Sequence, residues 1–235
     1  MTQIQLNLIS KSLEWFRTLR PALVAFGLGL LMMSCDNFPV SSQGLSQAAA
    51  LVVYTNMAQP VSQTATSLPS LKLFVTTADN QPGVNFSGIT QADSRCMSDP
   101  GYPGTGTYKA LLVQPGVRVA CSTANCSGGT SEHIDWVLQA NRTYARTTGL
   151  TVLTTNADGI FVFGTLMNAV ATGAAGWWTG LNSNWTFNSA CTGNTWSSTG
   201  GNARYGDPNT TNASSIAAGV DGCTTTGSKL LCIQQ

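Results

Sequence analysis

Histidine occurs once in this sequence, at His133, and it stands between Glu132 and Asp135. An imidazole beside carboxylates is the raw material of acid–base chemistry, in which the ring takes a proton from a nucleophile while an acid orients it. The nucleophile of such a site sits in a Gly-X-Ser-X-Gly turn between strand and helix, and no such turn occurs here. His133 is therefore read as a surface ion partner of its acidic neighbours. Nothing in the spacing of the carboxylates selects a pair for glycoside hydrolysis. A zinc site drawing on Cys121, Cys126 and His133 has no further thiol or histidine nearby. Catalytic residues, cofactors and metals are accordingly not expected.

Aromatic chemistry is concentrated instead. Residues 176–196 hold Trp177, Trp178, Trp185 and Trp196, four of the six tryptophans. Such side chains either fill a core or stack on sugars and anchor protein partners. Successive residues of a strand point to opposite faces, so Trp177 and Trp178 are expected to face opposite ways. Residues 197–218, rich in Gly, Asn and Ser, lack periodicity and read as a loop carrying Asp207-Pro208-Asn209.

The elements that must position these residues are short. Residues 71–76 alternate as a strand that ends at the 79–83 turn cluster. Ile89, Ala92 and Cys96 fall at helical spacing and turn Cys96 toward the core. Residues 107–113 form a second strand, with further strand candidates at 134–138, 143–146, 160–163 and 228–233. Ahead of this domain, at 71–235, residues 36–70 are a Ser, Gln, Ala and Thr-rich tether with scattered prolines; Ala48 to Tyr54 within it is apolar and stays unassigned.

Residues 1–35 read as a leader. Lys11, Arg17 and Arg20 precede an apolar run from Pro21 to Met33, shorter than the roughly 20 residues of a membrane-spanning helix. Leu31-Met32-Met33-Ser34-Cys35 resembles a bacterial lipobox, which makes Cys35 the expected lipidation site and membrane anchor. Export leaves six cysteines, Cys96, Cys121, Cys126, Cys191, Cys223 and Cys232, an even set that reads as three disulfides of open connectivity. The spacing of Cys121 and Cys126 suits a bond clasping a loop, and a last strand ending in Cys232 invites pairing with the early helix. Asn85, Asn141 and Asn184 head Asn-X-Ser/Thr triplets, which behind a bacterial leader are composition only. Charged residues make up 9% of the chain, against roughly 25% in ordinary soluble domains. With no basic excess, nucleic-acid binding is not expected.

Taken in order, Ser87-Gly88-Ile89 with Ala92-Asp93 and Cys96, then Gly106 to Ala110, Trp178-Thr179-Gly180-Leu181, Cys191, Trp196, Cys223 and Leu231-Cys232-Ile233 resemble the endostatin domain. With Ile134 to Leu138 and Thr154-Thr155-Asn156 they are closer still to the leptospiral endostatin-like surface lipoproteins. The resemblance covers about residues 71–235. It implies an α+β, C-type-lectin-like (endostatin-like) fold: a twisted, mainly antiparallel sheet with short flanking helices, long loops and nested disulfides. The implied pairs are Cys96 with Cys232 and Cys191 with Cys223, leaving Cys121 with Cys126 as a bond peculiar to this branch. It also makes Trp178, Gly180, Leu181 and Trp196 core motif positions, so that Trp177 is expected outward. Trp177, Trp185, Asp207 and Asn209 then remain as candidate ligand-binding residues.

The calcium-binding triplets of true C-type lectins are missing, because Asp207-Pro208-Asn209 follows Cys191 and Asp207 has no acidic neighbour closer than Asp221. Endostatin's zinc-binding histidines and basic heparin face are missing too. By resemblance the chain is expected to be a non-catalytic, surface-exposed outer-membrane lipoprotein. Its implied partners are laminin, fibronectin, plasminogen and complement factor H. A carbohydrate-binding module using exposed tryptophans, and a structural envelope lipoprotein without ligand, are the competing expectations.

Overall fold

A computed structural model describes residues 68–235. The leader, Cys35, Ala48 to Tyr54 and nearly all of the tether lie outside the described residues. Those described form an α+β domain with few helices, two sheets and three disulfides. The larger sheet contains β1 (Leu71–Val75), β2 (Tyr108–Ala110), β3 (Thr143–Arg146), β4 (Thr151–Thr154) and β8 (Leu231–Gln234). Its spatial order is β2-β8-β1-β3-β4, antiparallel throughout except where β1 pairs β3 in parallel. The last strand thus lies beside the first, with Phe74 opposite Cys232. The smaller sheet is β5 (Trp177–Trp178), β6 (Asn202–Gly206) and β7 (Gly219–Gly222).

Alternation along the central strands builds two cores. Leu73, Leu231 and Ile233 enter one core, whereas Phe74, Leu230 and Cys232 enter the other. Successive strand side chains leave opposite faces, so β1 and β8 separate the two clusters. Helix α1 (Gly88–Ser98) covers the second cluster with Ile89, Ala92 and Cys96, all buried as their helical spacing requires. Asp99, immediately after α1, ends it by turning the chain: its carboxylate accepts the Thr77, Ala78 and Gly101 backbone amides. Burial opposes its ionisation, but these hydrogen bonds hold its pKa below the ordinary aspartate value.

Several elements differ from the sequence expectation. Residues 134–138 and 160–163 are not strands; Ile134 makes a single bridge to Val119. Their apolar side chains, Val137, Leu138, Ile160 and Phe161, are buried, but no neighbouring strand takes up their backbone groups in a ladder. A short apolar run reports burial, and a sheet needs a partner as well. The second expected strand is shorter than 107–113, and Thr151–Thr154 is a strand that was not expected.

The largest departure is residues 197–218. They contain β6, the central strand of the smaller sheet, and the short helix α2 (Ser214–Ala217). Asn-Ala-Arg-Tyr-Gly has weak strand propensity, and pairing on both sides overrides it. The close approach of α2 needs Gly206, where a Cβ would lie 2.1 Å from the Ser215 carbonyl oxygen.

The disulfides join Cys96 to Cys232, Cys191 to Cys223 and Cys121 to Cys126. The first ties α1 to β8 across 136 residues, a closure that loop entropy values at about 5 kcal/mol, against about 2 kcal/mol for the five-residue separation of the third. The paired substitution Cys96→Ala/Cys232→Ala is expected to lower unfolding stability by roughly 2 to 5 kcal/mol, and by more than Cys121→Ala/Cys126→Ala. Denaturant titration checks the order, and an equal or reversed effect would contradict it.

Candidate functional site

Residues 132–136 gather the groups that the sequence marks for chemistry, and the fold disperses them. The Glu132 carboxylate accepts the Ser122 and Thr123 backbone amides, each at 2.7 Å, together with the hydroxyls of both residues and the Gly128 amide. It closes the loop that the Cys121–Cys126 bond begins. The His133 ring places Nδ1 against the Ala120 carbonyl oxygen and Nε2 2.8 Å from that of Asp158. Contrary to expectation, the ring bridges two loops and pairs with neither acid, because its side chain points inward between them. Both ring nitrogens are thus turned to backbone carbonyls.

Asp135 turns away from His133 and serves Arg118, whose side chain is completely buried. The guanidinium also makes a two-pronged bond to Asp93, 2.8 Å at each nitrogen, and donates to the Ala110 carbonyl. Lys109 completes the group on Asp135. Burial works against the charge on Arg118, but Asp93 and Asp135 raise its pKa above the ordinary value. Asp135 is likewise hindered by burial and is held low by Lys109 and Arg118. This arrangement fastens α1, β2 and the 118–135 region to one another. A charge cluster so fully paired is a clasp. No group of three or more metal-ligating side chains converges among the described residues.

The tryptophans require a correction. Trp177 and Trp178 do face opposite ways, Trp177 into the first core and Trp178 into the second, yet both are 0% exposed. Strand β5 is covered on both faces, so alternation selects between two cores and leaves neither ring in solvent. Trp178 donates its indole N–H to Asn80 O at 2.9 Å and Trp196 to Val113 O at 2.8 Å, pinning the second core. Gly180 has φ +73°, and a Cβ there would press on Trp196 and Val113 at 3.1 Å, so the Trp178-Thr179-Gly180-Leu181 turn needs glycine. Trp185, expected as a surface ring, is also buried.

Asp207 and Asn209 are occupied as well. Asp207 Oδ1 accepts the Asn209 backbone amide, and the Asn209 side chain bonds Gly173 N and Ala174 O. The triplet stitches one loop to another.

What the fold assembles around Trp185 is an aromatic group not foreseen from the sequence. Trp185 meets Phe161 edge-on at 4.6 Å between centroids, stacks on Phe163 with planes 8° apart, and meets Trp136 edge-on. Its backbone φ is +68°, a conformation that a bulky residue rarely adopts, and the packing of its ring on three others compensates. Beside this group lies a cleft of about 490 Å³, within the range of small-molecule sites. Its lining includes Val162, Phe163 and Trp185 together with Asn125, Ser183 and Asn184. No charged side chain lines it. Phe161 and Phe163 are legible as aromatic residues two apart, but their meeting with Trp185 is a long-range contact without a local signature.

Residues 79–214, more than half of the chain, match the family model described as "Protein of unknown function (DUF1554)". The chain belongs to this family. Comparison with curated proteins finds no match. The DUF1554 match begins just after β1 and stops at the start of α2, so it includes α1, Arg118, the 132–136 segment and the aromatic cleft.

The Glu132 clasp has a definite pH dependence. Bonds from Thr123, Gly128 and Ser122 outweigh a small burial effect and hold the Glu132 pKa down to about 2, from a reference of 4.5. A depressed carboxylate pKa stabilises the fold fully above the unfolded value and loses that contribution as pH falls through the folded one. Hydrogen-exchange protection of the Ser122, Thr123 and Gly128 amides is therefore expected to stay level down to about pH 4.5 and to decline toward pH 2. Glu132→Gln should lower it already at neutral pH; unchanged protection in that variant would refute the assignment.

Proposed function

We propose that this DUF1554 protein is a non-catalytic binding module of C-type-lectin-like, endostatin-like architecture, displayed on the outer membrane through lipid on Cys35 and engaging host matrix or plasma proteins. The observation that carries this reading is the disulfide frame. Cys96–Cys232 joins the early helix to a last strand lying beside the first, and Cys191–Cys223 is nested inside it. That frame accords with the pattern implied by the resemblance to the leptospiral endostatin-like lipoproteins, and it suits an oxidising compartment. A domain closed covalently across nearly its whole length keeps its loops in place outside the cell, where binding surfaces act.

The engagement of Glu132, His133 and Asp135 in separate structural contacts supports a binding role over catalysis. So does the pattern of the leader, in which Cys35 follows a short apolar run. Laminin, fibronectin, plasminogen and factor H are the partners that the resemblance offers.

The test is binding of the full mature chain to these four proteins on a surface, with a reduced and alkylated sample beside it. Saturable binding to at least one, lost on reduction, is the expected result. Failure to bind any of them, together with resistance to protease on intact cells whose outer-leaflet controls are cleaved, would instead favour a structural envelope protein.

A further inference from the structure

We infer that the cleft beside Trp185 is a calcium-independent site for a neutral saccharide, a ligand assignment that rests on the reading of the chain as a binding module. Three features of the cleft lining select that chemistry together: aromatic rings, free amides with a hydroxyl, and no charge.

Phe163 is half-buried. Its ring lies parallel to that of Trp185 and at a steep angle to that of Phe161, and the part that stays exposed lines the cleft. An aromatic face receives the C–H face of a pyranose ring, where apolar hydrogens meet the negative side of the π system. Val162, 57% exposed, adds apolar surface to the lining.

The polar groups decide between a sugar and a purely apolar occupant. The Asn125 side-chain amide and the Ser183 hydroxyl make no hydrogen bond among the described residues. Asn184 uses Oδ1 to accept the Thr186 amide and hydroxyl at 3.2 and 2.6 Å, which fixes the orientation of its amide and leaves Nδ2 without an acceptor there. An acyl chain or an aliphatic side chain would cover these groups and leave them unpaired, at a cost. Sugar hydroxyls pair with both donors and acceptors of an amide. Acidic sugars and sulfated chains find no cation in the lining.

The site is also held in shape before any ligand arrives. Asn125 lies within the Cys121–Cys126 loop, has φ +54°, and donates its backbone N–H to Asn184 O at 2.8 Å. The turn carrying Asn184 is closed by Asn182 N–H on Thr186 O at 2.9 Å. Trp185 keeps its left-handed backbone in that same turn, and strained backbone held by its surroundings is a recurrent mark of ligand clamps. A rigid rim reduces the ordering that binding would otherwise require.

The experiment presents the full chain to an array of neutral, sialylated and sulfated glycans, with chelator and with high salt, followed by titration of the neutral oligosaccharides retained. Binding to neutral glycans that survives chelator and salt is expected. Phe163→Ala should weaken it roughly tenfold, the worth of one aromatic contact. Asn125→Gly removes the amide and keeps a residue at ease with positive φ, and Asn184→Asp keeps the Oδ1 acceptor and removes the donor; both should weaken binding with unchanged near-ultraviolet circular dichroism. These two variants read the site even where Phe163→Ala disturbs the fold. Absence of neutral-glycan binding, a requirement for calcium, preference for acidic glycans, or full affinity in Asn125→Gly and Asn184→Asp would each overturn the assignment. Matrix proteins stripped of glycans separate the two readings: retained binding there keeps the module and removes the saccharide site.

Discussion

Strand β8 occupies the position on which the domain depends. It lies between β2 and β1, sends alternate side chains into both cores, and is bonded through Cys232 to α1. The last four-residue strand therefore completes a sheet that the first strand began about 160 residues earlier. Contacts this distant in sequence carry a large closure entropy, which the Cys96–Cys232 bond removes from the unfolded chain. A chain with little charge, and with loops that hold few regular elements, gains its definition from that constraint.

The few charges that the domain has are placed with corresponding economy. Arg118, Asp93, Asp135 and Lys109 join elements that the sheets do not connect, and Asp99 and Glu132 each gather backbone amides from a loop. Arg118 is completely buried, and its pairing with two carboxylates offsets the cost of that burial; the more exposed acids fix geometry by holding several donors at once. Residues that resemble a catalytic set in sequence thus perform three separate structural tasks. The long loops are irregular in backbone but are bonded through side chains at many points.

The aromatic residues divide by location. Trp177, Trp178 and Trp196 belong to the two cores, and their placement follows from β5 being covered on both faces. Trp185 belongs to the core too, yet it sits beneath a surface that Phe163 and the amides share. The unusual backbone at Trp185 and the local disulfide at Cys121–Cys126 converge on this one region.

The sequence by itself determined the local features. Helical spacing placed Ile89, Ala92 and Cys96 on one face; alternation marked β1, β3 and β8; and glycine at 180 answered a positive φ. The helical and strand patterns depend on neighbours within a turn or two, so short-range periodicity carries them. Tertiary structure alone decided the rest. Burial of Trp177 needed a second covering layer, β6 needed partners on both sides, and residues 160–163 needed a neighbouring strand that the fold does not supply. His133 between two acids became a bridge between two carbonyls because its loop turns the ring inward. The cleft draws on residues 125, 156, 160–163, 183–185 and 213, from four segments distant in sequence. Their proximity is a property of the folded chain, since no local pattern encodes which loops will meet.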